Sequence, residues 1–575
     1  MNDSQKYRSN LLTIILISAL TLIPFIGLTD FNTKGEPREA IVAFTMLDTN
    51  NWILPQNNGD EFAYKPPMFH WFVAATSVVI GGVNEFSARF PSALAGVVLA
   101  VMTFCFFARR KNQQTALLTS VIMLTTFEVH RAATNCRVDM VLTLFIVLAL
   151  YQLFRWTERD LRGIPIWAIL WMGCGMLTKG PVAIILPCLV SCVYLWIQGR
   201  SFWFVTWRLA LIAMSALVLP CLWYYAAWLQ GGDKFLYLIY EENVLRFLGK
   251  MPYSSHENGA WYYPVVLLSS AVPYTLICLL ALFTIQREQW RKLQVLKSAW
   301  WKGLWEHIRK MDRVELFSLL AIVLIIGFYT IPKSKRGVYI LPVYPFVAYF
   351  VARLIEYLSA VRPRIVNFFG WVLATIVGIV FIGMIIIKSG FIPDSIFHGR
   401  HATENIAMLH ALADNSIMSS TNSIFLIVCA IAIYLYYSLS PLGRLIQNVA
   451  YNALLIFLLL DALLLPPLMS SRSDKPLAAE VENYAKQKPL YSFVNDKDKM
   501  LHFFTLNFYC HNRIQIFNPE VHSGLLLIGD RDVATFSRLN PNIQLEPIRD
   551  FHHRSCDTRQ NILLYEFQTK NMKQD

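Results

Sequence analysis

The chain has 575 residues, is 55% hydrophobic and only 15% charged, and carries a formal net charge of +13. That composition excludes an ordinary soluble enzyme, because its apolar runs are long enough as helices to cross the roughly 30 Å hydrocarbon core of a bilayer. The basic residues fall mostly in short loops between those runs, which is the positive-inside pattern rather than a nucleic-acid footprint. No alternating ten-residue pattern supports a barrel, so the fold class is mainly α, a polytopic helical membrane protein.

Fourteen apolar runs follow in chain order, near 11–28, 68–82, 90–107, 114–129, 138–154, 164–177, 181–198, 208–226, 264–285, 316–331, 338–357, 367–387, 423–438 and 449–466. The first follows Lys6 and Arg8, lacks a small-residue cleavage site and is expected to be a retained span. If all fourteen crossed from a cytoplasmic N-terminus, Arg109 to Lys111 and the 286–315 loop, with its eight Lys and Arg, would lie outside. The run at 68–82 is the weakest, opening after Pro66-Pro67 and ending at Gly81-Gly82, so it is expected to lie at the outer surface. Thirteen spans then make 286–315 cytoplasmic and place the 29–67 and 227–262 loops, Asp139, Lys179 and Lys333 to Arg336 outside.

Beyond about 470 the chain changes character. Short apolar stretches at 489–494, 513–517, 524–529 and 562–567 alternate with helix-like segments such as 476–487. We expect a membrane domain over 1–467 and a small α/β domain over 468–575 on the outer side. Of ten cysteines, eight lie in or beside apolar runs without metal-ligand spacing, while Cys510 and Cys556 fall in the polar region where a disulfide is open. There is no internal repeat.

Charged residues at the mouth of such a bundle are the candidates for chemistry. Glu36 and Arg38, in Gly35-Glu36-Pro37-Arg38, precede a helix-like stretch; the carboxylate suits a general base and the guanidinium a phosphate. A helix-start carboxylate with a local ion pair is the plainer alternative. Lys65, in Tyr64-Lys65-Pro66-Pro67, suits a lipid phosphate or a snorkelling side chain. Asp139 opens a span beside Arg137, where the helix dipole also favours a carboxylate. Lys179 sits at a Gly-Pro turn, and Lys333, Lys335 and Arg336 form a denser cationic turn before Tyr339. His70 and His130 read as interfacial residues. No Gly-rich phosphate loop, G-x-S-x-G or kinase signature supports soluble nucleotide chemistry, and no H-E-x-x-H supports zinc.

In order and spacing, Glu36-Pro37-Arg38, Lys65-Pro66-Pro67, Asn84-Glu85-Phe86-Ser87-Ala88-Arg89, Asp139, and Leu177-Thr178-Lys179-Gly180 resemble the motifs of the GT-C membrane glycosyltransferases. The likeness is to the aminoarabinose transferase and protein O-mannosyltransferase group; Ser334-Lys335 and Tyr339-Ile340-Leu341-Pro342 match its aminoarabinose branch. The resemblance implies transfer of a sugar from a polyprenyl-phosphate donor to a lipid A-like lipid or another acceptor, including protein, at the outer face of the inner membrane. It implies inverting, metal-independent chemistry with no cofactor, although a divalent metal stays open, and with no nucleic-acid partner.

Catalytic roles are expected for Glu36 and Asp139, and donor phosphate binding for Arg38, Lys65, Lys179, Lys335 and Arg336. Acceptor or structural roles are expected for Asp30, Tyr64, Glu85, Arg89, Arg137 and Tyr339. One departure stands out. The group's pattern reads Asp-Glu-x-Arg, and here Gly35 occupies the aspartate position, so Glu36, Asp30 or Asp139 must take that role, with Glu36 preferred. The rivals are a transporter or flippase, disfavoured because the charges gather at one face without a repeat, and a glycan polymerase or ligase.

Overall fold

The computed structural model describes residues 3–57, 61–63, 65–248, 250, 257–284, 303, 305–306, 308–399, 402–413, 445–496 and 501–569. It divides into two compact units, one comprising 1–24, 92–386 and 418–461, the other 25–91, 387–417 and 462–575.

Among the described residues, seven helices are long and apolar enough to cross a membrane: Glu85–Ala108, Val138–Glu158, Phe202–Leu245, Arg313–Thr330, Gly337–Val361, Pro363–Lys388 and Leu445–Ser470. Shorter apolar helices occupy Met68–Ile80, Gln113–Leu124, Ile166–Met176 and Val182–Ile197, at four of the predicted runs. The run at 423–438 and most of the 286–315 loop lie outside the described residues. Helix Met68–Ile80 has 13 residues; at 1.5 Å per residue it is roughly 20 Å long, too short to cross.

Two predicted elements differ. The run at 264–285 is not one straight span: helices Tyr262–Ser270 and Tyr274–Leu282 meet at 109°. Pro273 in the break has no N–H for a continuous helix. The 227–262 segment is not a loop throughout, since helix Phe202–Tyr240 runs on through a π-turn, Glu241–Leu245, and a further turn to Leu248. Within that range two helices meet at a kink at Gly232, whose φ of 56° and ψ of −145° are non-helical.

The core of the first unit includes the helix Val138–Glu158, whose buried residues run almost without interruption from Val138 to Phe154. Small residues permit close approach: a Cβ on Gly96 would stand 2.8 Å from Leu22 Cδ1, and one on Gly175 would stand 2.7 Å from Ala183 Cβ. The second unit contains a two-residue hairpin, β1 (Gln56–Asn57) with β2 (Glu61–Phe62), and a five-stranded mixed sheet. Its strands are β3 (Leu490–Phe493), β4 (Ile514–Ile516), β5 (Ser523–Gly529), β6 (Ile543–Arg554) and β7 (Asn561–Thr569), in the order β4-β3-β5-β7-β6. Strands β4, β3 and β5 are parallel, and β7 runs antiparallel to β5 and β6.

Alternation along the strands sends Leu490, Leu525, Leu527 and Leu564 to one core with Leu477 and Val481 of helix Lys475–Ala485. Tyr491, Leu526, Ile528 and Phe567 face a second core with Phe536. The strands fall where the apolar stretches predict them, except β6, which that pattern misses because most of its residues are exposed. Cys510 and Cys556 are both buried and free, so the open disulfide is not formed.

Candidate functional site

Helix Gly35–Thr49 begins at the acid-x-Arg motif itself, with Pro37 in its first turn, where a missing N–H matters least. Glu36 is 5% exposed and Arg89 is 2% exposed. Arg89 Nε and Nη2 donate to Glu36 Oε1 and Oε2 at 2.7 and 3.0 Å. Its Nη1 donates to the carbonyls of Ile26 and Thr29 at 2.7 and 2.5 Å, and its guanidinium lies over the Phe31 ring at 4.9 Å. A bidentate pair of this kind fixes the start of helix 35–49 against helix 85–108 and the chain at 26–31.

One helical turn beyond Glu36 stands Glu39, buried and the meeting point of three side chains. Lys65 Nζ and Arg38 Nη2 pair with its Oε1, the latter at 3.2 Å, and His70 Nε2 bonds its Oε2 at 3.0 Å. Burial opposes the charge on Glu39, but Lys65, the His70 hydrogen bond and Arg38 overcome it and hold the carboxyl well below its usual range. Arg38 and Lys65 keep 26% and 21% of their side-chain surface. Two cations held at a partly open position suit an anion. Arg38, Glu39, Val42, Asn57, Ala63, Lys65 and His70 line a small cavity there.

Sequence reasoning brings Arg38 and Lys65 to this site but misses Glu39, His70 and Asn57. His70 is not interfacial as expected; it is 1% exposed, as Pro66-Pro67 lead directly into helix Met68–Ile80 and place it in the first turn. The spacing from Glu36 to Glu39, three residues and hence the next turn of the same helix, is the signal that was available.

Asp30 and Glu85 are joined elsewhere in the same unit. Lys475 Nζ bonds Asp30 Oδ1 at 2.7 Å and Glu85 Oε1 at 2.8 Å. The Tyr509 hydroxyl donates to Glu85 Oε1 at 2.8 Å and accepts from the Phe31 N–H at 2.8 Å. Helices of the sheet domain therefore hold the chain just beyond Arg89's carbonyl partners, at Asp30 and Phe31, together with Glu85. Tyr64 lies outside the described residues.

In the first unit, Asp139 sits in the first turn of helix Val138–Glu158 and pairs with Lys179, whose Nζ lies 4.4 Å from the centre of the Tyr339 ring. Gly180 makes the turn at φ +134°, and a Cβ there would stand 2.8 Å from Asn243 Oδ1. Lys335 departs from the expected phosphate role. It is 4% exposed, and its Nζ donates to the carbonyls of Asn258 and Pro332 at 2.8 and 2.6 Å, so two of its three donors serve the backbone. Arg336 is exposed. Arg137 caps helix Val138–Glu158, with its carbonyl accepting from Ser92 Oγ at 3.2 Å. His130 is likewise buried, bonding Asp461 Oδ2 through Nε2 at 2.7 Å.

Among the described residues, the donors close enough to share a metal are Asp474, Cys556 and Asp557, within 4.8 Å of one another. Their oxygens are engaged: Asp474 by His553, Ser555 and the Cys556 N–H, and Asp557 by Thr505. Such a set reads as a hydrogen-bonded loop clasp. Burial, then the neighbouring Asp474, pushes Asp557 up to about 7.

Comparison with known proteins bears on this geometry. The sequence pattern of the family described as dolichyl-phosphate-mannose-protein mannosyltransferase matches residues 64–228. The undecaprenyl phosphate-alpha-4-amino-4-deoxy-L-arabinose arabinosyl transferase of Shewanella sediminis is 28% identical over 345 residues, covering 59% of this chain and 58% of that protein. Its counterpart in Aeromonas hydrophila is 27% identical, with 59% of each chain covered. The chain thus spans somewhat under two thirds of the length of these relatives. The crystal structure of ArnT from Cupriavidus metallidurans bound to undecaprenyl phosphate superposes with a TM-score of 0.68 at 18% identity, over 98% of both chains. In sequence the chain is thus similar to aminoarabinose transferases, and it shares the fold of the ArnT structure.

Proposed function

We propose that the protein transfers a sugar from a polyprenyl-phosphate donor to a lipid A-like acceptor at the outer face of the inner membrane, with its N-terminus cytoplasmic and its sheet domain outside. The observation that carries this reading is the placement of Arg38 and Lys65 on the buried Glu39 carboxylate, which presents fixed cations at a cavity in the loop that opens the helix 35–49. Arg38 and Lys65 bind the donor phosphate. As the anomeric carbon–oxygen bond breaks, they stabilise the charge that collects on the departing polyprenyl phosphate. Holding an amphipathic donor in place removes part of the entropic barrier. The acceptor hydroxyl attacks the anomeric carbon from the opposite side, inverting it, and a carboxylate takes the acceptor proton.

Glu39, held ionised by its cations, is a weak base and acts as the counter-ion that positions Lys65. Glu36, saturated by Arg89, supports the loop. The family match over 64–228 favours a second acceptor, a protein hydroxyl. Purified protein is offered undecaprenyl phosphate carrying pentose, amino-pentose or hexose, with lipid A or a Ser/Thr-rich peptide. Transfer to lipid A, lost in Lys65→Ala and retained by folded Glu36→Gln, is the expected result; normal transfer by Lys65→Ala refutes the mechanism.

A further inference from the structure

The cavity beside Arg38 and Lys65 contains polar groups that the phosphate reading leaves unused. Asn57 is 1% exposed, and among the described residues neither its Oδ1 nor its Nδ2 has a hydrogen-bond partner. His70, also 1% exposed, is bonded through Nε2 to Glu39, while its Nδ1 has no partner among the described residues. Both side chains line the cavity, with the apolar Val42 and Ala63 completing its wall. A buried amide or imidazole nitrogen left unpaired costs roughly 1–3 kcal/mol, and the cavity of about 10 Å³ has room for no more than one water-sized polar group to complete them.

The chemistry of the unpaired atoms selects that guest. An ionised carboxylate only accepts, so His70 Nε2 carries the proton toward Glu39 and, in the neutral ring, Nδ1 offers a lone pair. Asn57 adds two N–H donors and a carbonyl acceptor. A phosphate dianion has nothing to donate to Nδ1 or to the Asn57 carbonyl, and an ammonium group has no lone pair for the Asn57 N–H. A hydroxyl satisfies both, donating to His70 Nδ1 or Asn57 Oδ1 while accepting from Asn57 Nδ2.

We propose that Asn57 and His70 form a subsite for a neutral hydroxyl of the donor's sugar, next to the cations that hold its phosphate. This rests on the reading of Arg38 and Lys65 as the phosphate site. The subsite separates the sugar-bearing donor from the spent polyprenyl phosphate, which shares the phosphate but lacks the hydroxyl, and so favours release of product over release of substrate. A bound water offers the same donor and acceptor pair, and the test distinguishes the two sources.

The full-length protein in lipid nanodiscs is titrated with bare undecaprenyl phosphate and with undecaprenyl phosphate carrying arabinose, 4-amino-4-deoxy-arabinose or mannose. Wild type is expected to bind one of the sugar-bearing lipids more tightly than the bare lipid. Asn57→Leu should remove that preference, weakening the sugar-bearing lipid about tenfold while leaving the bare lipid unchanged. Asn57→Ala removes the amide without adding bulk or charge, so it gives the same selective loss should the leucine variant fail to fold. Wild-type affinities for every lipid in both Asn57 variants overturn the subsite and assign the cavity to water. Lys65→Ala serves the other question: it should weaken bare and sugar-bearing lipids alike. Unchanged binding of the bare lipid in Lys65→Ala defeats the phosphate reading, a result separate from either Asn57 outcome.

Discussion

Glu36 lies in the motif that first draws attention to this chain, and the structure gives it a role that stability measurements can separate from catalysis. Arg89 makes four hydrogen bonds, two to Glu36 and two to the carbonyls of Ile26 and Thr29, at 2% exposure. Removing one partner of a buried ion pair leaves the other charge uncompensated, at about 3–5 kcal/mol. Glu36→Gln keeps one acceptor for Arg89 and should fall near the lower end of that range. Arg89→Met strands the Glu36 carboxylate and also both carbonyls, each at about 1–3 kcal/mol, and should be the more damaging change. The double variant Glu36→Met/Arg89→Met leaves no stranded charge and should melt above Arg89→Met. Thermal unfolding in one detergent, followed by tryptophan fluorescence, ranks the three. Turnover is measured on the folded fraction. A Glu36→Gln protein that melts with wild type yet has lost transfer would refute the reasoning and return Glu36 to the role of catalytic carboxylate.

Three further outcomes follow from the same contacts. The Glu39 carboxyl is held below its ordinary value, so its contribution to stability is complete above about pH 4.3 and is lost as pH falls through the depressed folded value. The melting-temperature gap between wild type and Glu39→Gln should therefore stay constant from about pH 7 to pH 5 and close only below about pH 4. Asp557 has the opposite sign: its carboxyl, pushed up to about 7, favours the folded state below its unfolded value of about 3.9 and loses that support as pH rises through 7. Asp557→Asn can keep both Thr505 contacts, so it should melt above wild type at about pH 8, by the equivalent of a few kcal/mol, and match it near pH 4. Lys335→Ala removes the donors to the Asn258 and Pro332 carbonyls and should lower the melting temperature, while affinity for undecaprenyl phosphate stays within about twofold.

Much of the helical architecture is legible in the apolar runs, because a segment that must satisfy its own backbone in lipid advertises its length and composition. The strands β3, β4, β5 and β7 announce themselves the same way, as short apolar stretches. Strand β6 does not: charged residues such as Arg549 and Asp550 carry no core-facing alternation, and its place at the sheet edge comes from pairing with β7. The break at 271–273 shows only as a proline, which marks a discontinuity but not an angle of 109°.

At the site, Arg38 and Lys65 are visible because cations outside a membrane break a compositional rule. Glu39 and His70 are not, since a second glutamate in a helix and a histidine in an apolar run look ordinary until tertiary structure brings them 3.0 Å apart. Asn57 stands out only through the partners its side chain lacks among the described residues. Asp30 and Glu85 are candidates through the family resemblance, and their meeting with Lys475 spans nearly the whole chain.

The central claim is that fixed cations in the loop at 35–65 receive a polyprenyl phosphate and release it after sugar transfer. Its most direct measurement is single-turnover transfer from sugar-loaded undecaprenyl phosphate to lipid A by purified wild type and Lys65→Ala, with both the modified acceptor and the freed undecaprenyl phosphate quantified by mass spectrometry. The account predicts equal amounts of the two products from wild type and a loss of at least a hundredfold in rate for folded Lys65→Ala, in line with removal of a group that stabilises developing charge. Wild-type rates in Lys65→Ala, or acceptor modification without release of undecaprenyl phosphate, would contradict it.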